Sequence, residues 1–205
     1  KRQMYTFDQN LFHEIYDQQS KKITFREIFT NTYIPLLTHL GLLWQTDSLK
    51  PAHEHFVSNL IYQKIALNIA KIPVNKKSNN PINVLFLPYG EIHELGLLFL
   101  NYYLKLVGEE VIYLGKSIPF DNLFYLNSQI KNITWITYFM IDKTVEEKDE
   151  FILNVAKLLE HTKNKCIIVG NIWDDYKKAN TNSQIIFKTK LEELVSVNEV
   201  KLSVI

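Results

Sequence analysis

Ile82-Asn83-Val84-Leu85-Phe86-Leu87-Pro88-Tyr89-Gly90-Glu91-Ile92-His93-Glu94-Leu95-Gly96 is the stretch on which the reading of this chain turns. Ile82 to Leu87 is an apolar run of strand length, closed by turn residues, and a helix is expected from Glu94 to Val107. Leu95 to Leu104 is apolar nearly all round, so that helix must be covered by a sheet on one side and by something else on the other. Between strand and helix lies Glu91-x-His93-x-x-Gly96. A loop imidazole in this position can serve as a metal ligand, and a glycine lets a bulky ring approach the backbone. Glu91, two residues before His93, can accept the remote ring N–H and so set the tautomer.

Downstream the same alternation repeats. Apolar strands at Val111 to Leu114, Ile133 to Met140, Cys166 to Val169 and Gln184 to Phe187 are followed by helices at Phe120 to Ile130, Val145 to His161, near Asp174, and Leu191 to Val195. This succession predicts an α/β domain over residues 82–205, a doubly wound, flavodoxin-like parallel sheet of five strands. Its ligand crevice belongs at the carboxyl ends of the strands, where Glu91 and His93 fall.

Upstream, residues 73–81 are polar, aperiodic and bracketed by Pro73 and Pro81, which marks a linker. Residues 1–72 read as a small helical bundle of three or four helices. Phe25, Ile28, Phe29, Leu36, Leu40 and Leu43 make an apolar stripe, which Pro35 should bend or break locally. Another helix is expected near Phe7 to Tyr16. After Trp44 a turn leads to a helix running to about Ala70, with Asp47 or Ser48 as N-cap and Pro51 in its first turn.

The bulk composition excludes several classes. With 205 residues and 46% hydrophobic content the chain can bury a core. It has no apolar run near the roughly 20 residues a membrane span needs and no signal-peptide pattern at its start, so the expectation is a cytoplasmic protein with no membrane association. Net charge is +1, and residues 1–81 carry ten Lys/Arg against six Asp/Glu. That is no basic stripe for reading DNA. Cys166, the single cysteine, sits in an apolar strand and reads as core. No Gly-x-Ser-x-Gly, phosphate-cradling loop or Cys-x-x-Cys occurs, and no enzymatic activity is expected.

The bundle carries one further pattern, Trp44, nine residues, then Glu54-His55. Each part has an ordinary reading: Trp44 as core, Glu54-His55 as a pair straddling a solvated helix edge, His93 as a surface or capping histidine. Together, a bundle bearing an indole and an imidazole ahead of an α/β domain bearing a loop histidine resembles the C-terminal effector region of the MerR-type, cobalamin-dependent light-responsive transcription regulators, the CarH and LitR group. The resemblance covers essentially the whole chain. It implies adenosylcobalamin as cofactor, with His93 as lower axial cobalt ligand, Trp44 and Glu54 at the upper face, and His55 as the upper ligand once light has broken the cobalt–carbon bond. It also implies a homo-oligomer that acts on DNA only through a winged-helix domain lying outside this chain.

Two positions depart from that pattern. Domains of this kind carry Ser-x-Leu or Ser-x-Thr on the third strand and Gly-Gly after the fourth, lining the channel for the nucleotide tail. Here the third strand offers Thr137-Tyr138-Phe139 and the fourth ends in Gly170-Asn171. The expected function is a sensory effector domain that changes assembly state with light. The alternatives are a corrinoid carrier for methyl transfer and a degenerate domain with another ligand or none, serving oligomerisation or partner binding.

Overall fold

The computed structural model describes residues 7–45, 50–73 and 80–195, with the backbone alone for Leu42, Trp44, Gln45, Glu192 and Val195. The chain divides into two compact units, Lys1–Lys71 and Ile72–Ile205.

The first unit is helical. Helix α1 (Gln9–Ser20) starts where the Asp8 carboxylate accepts the Leu11 N–H, two residues later than the apolar pattern suggested. A capping box between Thr24 and Glu27 opens α2 (Phe25–Ile28), which passes through a π-helical turn (Phe29–Tyr33) into α3 (Ile34–Gln45). The widened turn is how the helix absorbs Pro35. Proline has no N–H to return to the preceding turn, and the Ile34 N–H reaches back five residues to the Phe29 carbonyl.

Helix α4 (Pro51–Ala70) corrects one expectation. Its N-cap is Lys50, extended at φ −86° and ψ 150° and making no side-chain cap bond. Proline at the first helical position drives the residue before it into this extended region and leaves no N–H there to be capped. Asp47 and Ser48 lie outside the described residues. The core joins Phe12, Tyr16, Phe25, Ile28, Phe29 and Tyr33 to Val57, Leu60, Ile61 and Ile65. Lys64 is buried with its ammonium 4.2 Å from the centre of the Tyr16 ring, and Asn68 donates to the Tyr16 hydroxyl.

In the second unit, strands β1 (Ile82–Pro88), β2 (Val111–Ile118), β3 (Ile133–Tyr138), β4 (Lys165–Val169) and β5 (Ile185–Lys188) form one all-parallel sheet in the order β2-β1-β3-β4-β5. Helices α5 (Leu95–Leu106), α6 (Phe120–Gln129), α7 (Val145–Leu159), α8 (Asp174–Ala179) and α9 (Glu192–Val195) connect and follow the strands. This is the doubly wound fold that the alternation predicts.

Alternation along the strands separates two cores. Leu85, Leu87 and Ile136 pack with Leu97, Leu100 and Leu104 of α5, and Leu191 and Leu194 join them. Val84, Phe86, Trp135, Phe139 and Ile168 face the other way, against Leu123 of α6 and Phe151, Val155 and Leu158 of α7. Burial also runs unbroken from Leu97 to Leu104, as the all-round apolar helix requires.

Helix α5, which follows β1, therefore lies on one face, and α7, which follows β3, lies on the other. Adjacent strands whose connections leave to opposite faces open a crevice at their carboxyl ends, here between β1 and β3. No helix among the described residues is long and apolar enough to cross a membrane.

Candidate functional site

The loop from Pro88 to Glu94 emerges at this crevice and is built around one carboxylate. Glu91, 2% exposed, turns its Oε1 inward to accept the Ile92 N–H (2.9 Å), the His93 N–H (3.1 Å) and His93 Nδ1 (2.6 Å). Burial alone raises the Glu91 carboxyl. The His93 ring, its backbone N–H and its charge, together with the Ile92 N–H, outweigh that effect and hold it below the usual carboxylate range. An ionised Glu91 accepts the proton on Nδ1 and leaves Nε2 as the basic nitrogen. The His93 side chain is 42% exposed, and its Nε2 has no protein hydrogen bond among the described residues.

Strand β2 clamps the same loop through a device that local sequence does not announce. Register slips between the pairs Leu85↔Tyr113 and Phe86↔Gly115, and Gly115 takes φ +85°. This bulge reverses the alternation, so that Tyr113 and Lys116 reach the same carboxylate. Glu94 Oε2 accepts from the Tyr113 hydroxyl at 2.9 Å, and Glu94 Oε1 lies 3.1 Å from Lys116 Nζ. Ser117 Oγ accepts the Gly90 N–H. The Pro88–Gly90 turn and the start of α5 are thereby pinned to the sheet edge.

The lips of the crevice are apolar. Tyr89 and Ile92 on the β1 loop are 78% and 60% exposed, and Met140 and Ile141 beyond β3 are also exposed. These four residues were not singled out from the sequence, since loop apolars have no period to betray them.

The remaining residues expected here do not all converge. Gly96 lies in the first turn of α5, where an added Cβ would sit 2.7 Å from Leu191 Cδ1 and 3.2 Å from Tyr138 Cε1. Thr137 is on the opposite face of β3 from Tyr138, paired with Phe86 and fully buried, its hydroxyl without a hydrogen-bond partner among the described residues. The structure thus brings Tyr138, not Thr137, to Gly96.

Gly170 has φ +145°, and an added Cβ would stand 2.9 Å from the Phe139 carbonyl oxygen. Both its backbone and its neighbour demand glycine. Asn171 is exposed and opens a 3₁₀ turn (Asn171–Trp173) without a positive φ, so the glycine-like conformation belongs to Gly170 alone.

In the helical unit, Glu54 and His55 prove to be a bonded pair. His55 Nδ1 is 2.8 Å from Glu54 Oε2, and Ser58 Oγ donates to Glu54 Oε1. The arrangement repeats that of Glu91 and His93: a held carboxylate on Nδ1, with Nε2 turned away from it. Neighbouring His53 instead stacks on Phe7 at 4.5 Å. Trp44 closes α3, and its side chain lies outside the described residues.

The chain is similar to known proteins in sequence and in fold. Residues 1–67 match the family model described as the B12 binding domain. In fold, the monomethylamine corrinoid protein of Methanosarcina barkeri superposes with a TM-score of 0.71 over 89% of this chain and 86% of its own, at 13% identity. The HTH-type transcriptional repressor CarH of Myxococcus xanthus is 26% identical over 117 residues, 57% of this chain and 38% of the repressor. The chain is thus similar to part of a CarH repressor, and the match spans well under half of that relative's length.

The residues present suit a corrin ring. A single buried-carboxylate imidazole with an outward Nε2 fits an axial position, and the apolar lips fit a ring edge rich in methyl groups. No group of three or more His, Cys, Asp or Glu able to hold a metal ion occurs among the described residues.

Proposed function

We propose that this chain is the sensory, non-enzymatic effector region of a transcription regulator, binding adenosylcobalamin and changing its assembly state with light. The observation that carries the reading is the Glu91–His93 pair at the switch point of the sheet, with Nδ1 held at 2.6 Å and Nε2 left outward. His93 would hold the cobalt from below, while Glu91 keeps its tautomer and raises its basicity. Trp44, Glu54 and His55 would serve the opposite side. Adenosylcobalamin, when bound, supplies a cobalt–carbon bond that visible light breaks. His55, with Nδ1 engaged by Glu54, offers a second imidazole of the same tautomer, and its recruitment would give the two assembly states different free energies. DNA binding would belong to a further domain of the parent protein, and the assembly to homo-oligomers in the cytoplasm.

The test is direct. Protein incubated with adenosylcobalamin in the dark and desalted should keep the cofactor, and His93→Ala should shift its absorption and weaken retention. Equal retention with identical spectra would remove the lower-ligand assignment. Loaded protein should elute at different masses in dark and light, and His55→Ala should bind in the dark yet fail to reach the illuminated wild-type spectrum. Identical elution would instead favour a carrier or a degenerate domain; the carrier reading predicts a methyl group transferred to an acceptor thiol.

A further inference from the structure

The His93 side chain is partly exposed, and the space beside it toward α5 is filled. Its floor is the first turn of α5 at Gly96, and its walls are the carboxyl end of β3 and the segment leading into α9. Tyr138 and Leu191 both occupy the space a glycine leaves there, at 3.2 Å and 2.7 Å from the position of a Cβ. Leu191 and Tyr138 are both partly buried and packed against the apolar core beneath, which includes Leu87 and Leu97. Tyr138 is anchored outward by its hydroxyl, 2.7 Å from Met140 Sδ. A slot without room for one methyl group has no room for a nucleotide.

Resting on the corrinoid reading of this site, we propose that Tyr138 and Leu191 form a gate that makes the site favour corrinoids lacking the nucleotide tail over complete cobalamin. A corrin ring seated on His93 Nε2 projects its tail, a base with ribose phosphate, from the face turned toward the protein. The tail must enter beside the imidazole, and at the switch point the inward path on the α5 face runs over Gly96. Complete cobalamin must therefore turn the Tyr138 ring out and push Leu191 aside. A tail-less corrinoid displaces neither. Nor must it give up an internal base before accepting His93.

The two side chains differ in what they surrender. The Tyr138 ring lies half-buried at the end of a strand beside an exposed loop, so it can swing about χ1. Leu191, packed against the same core, stands nearer the glycine, 2.7 Å against 3.2 Å, so extra volume there displaces it first. Leu191 is the closer half of the gate, and its truncation should matter more.

The experiment compares dissociation constants for adenosylcobinamide, which has no nucleotide, and adenosylcobalamin, by absorption titration in the dark. It uses the wild-type chain, Leu191→Ala and Tyr138→Ser, and it reads the ratio of the two constants, which cancels any loss of folded protein. In wild type the tail-less form should bind at least about tenfold more tightly, as displacing packed side chains implies. The ratio should fall toward unity in both variants, further in Leu191→Ala. Cobalamin binding as tightly as cobinamide to wild type, or a ratio unchanged in both variants, overturns the gate while leaving a corrinoid site. If neither corrinoid binds wild type, the proposed function falls, and the gate with it.

Discussion

Replacing Glu91 by Ala removes the centre of the His93 loop and should be costly out of proportion to its size. One buried carboxylate oxygen accepts three hydrogen bonds, two from backbone N–H groups and one from the imidazole. Hydrogen bonds to a charged group contribute about 1.5–3 kcal/mol each, but three on one oxygen share its charge and do not add. Opening of the loop lets water recover part of the loss. The net cost should be about 3 kcal/mol, a shift in the unfolding constant on the order of a hundredfold. Glu91→Gln keeps an acceptor for the backbone donors and should lose about half as much, because neutral bonds are about half as strong. Equilibrium urea unfolding followed by circular dichroism reads both values. The pH dependence has a definite sign. Glu91 titrates lower in the folded protein than its ordinary 4.5, so its stabilisation is present above that value and is lost as pH falls through the folded value. Glu91→Gln should flatten the acid limb of the stability curve. If both variants unfold within about 0.5 kcal/mol of wild type, the loop does not depend on this carboxylate and the tautomer argument for His93 fails.

Gly170→Ala should destabilise by about 2 kcal/mol or more, because both a left-handed φ and the Phe139 carbonyl oppose a Cβ; a thermal midpoint equal to wild type would contradict this. Gly96→Ala adds helix propensity but meets Leu191, so a double-mutant cycle with Leu191→Ala should show coupling of about 1 kcal/mol in favour of the pair. Additive effects would mean that Leu191 yields without cost. Burial pushes the Cys166 thiol well up, so its reaction with an aromatic disulfide at pH 8 should wait on unfolding; labelling of native protein at the rate of a free thiol would place it elsewhere than the core. Thr144→Ala removes a capping box from α7 and should cost about 1 kcal/mol in the same unfolding assay.

The order of strands and helices from Ile82 to Val195 was legible because each element declares itself locally. A strand needs only an apolar run between turn residues, and α5 showed its burial by being apolar on every side. The same local logic placed Glu91 and His93 in one loop, since residues two apart can meet without help from the rest of the chain. Glu54 and His55, adjacent in sequence, were seen as a motif, though not as a hydrogen-bonded pair.

What lay beyond reading was every feature set by partners distant in sequence. The face on which a strand residue points depends on register, and a shift of one residue exchanges the faces. Nothing in Thr137-Tyr138-Phe139 says which side chain meets α5, and the sheet presents Tyr138. The bulge at Gly115 decides that Tyr113 and Lys116 both reach Glu94, while the return of the chain to α5 after β5 sets Leu191 over Gly96. Sequence alone determined the elements and the imidazole with its carboxylate, because those rest on short-range periodicity and covalent nearness. Only tertiary packing decided how much space is left beside that imidazole, because space is what remains after every other side chain has been placed.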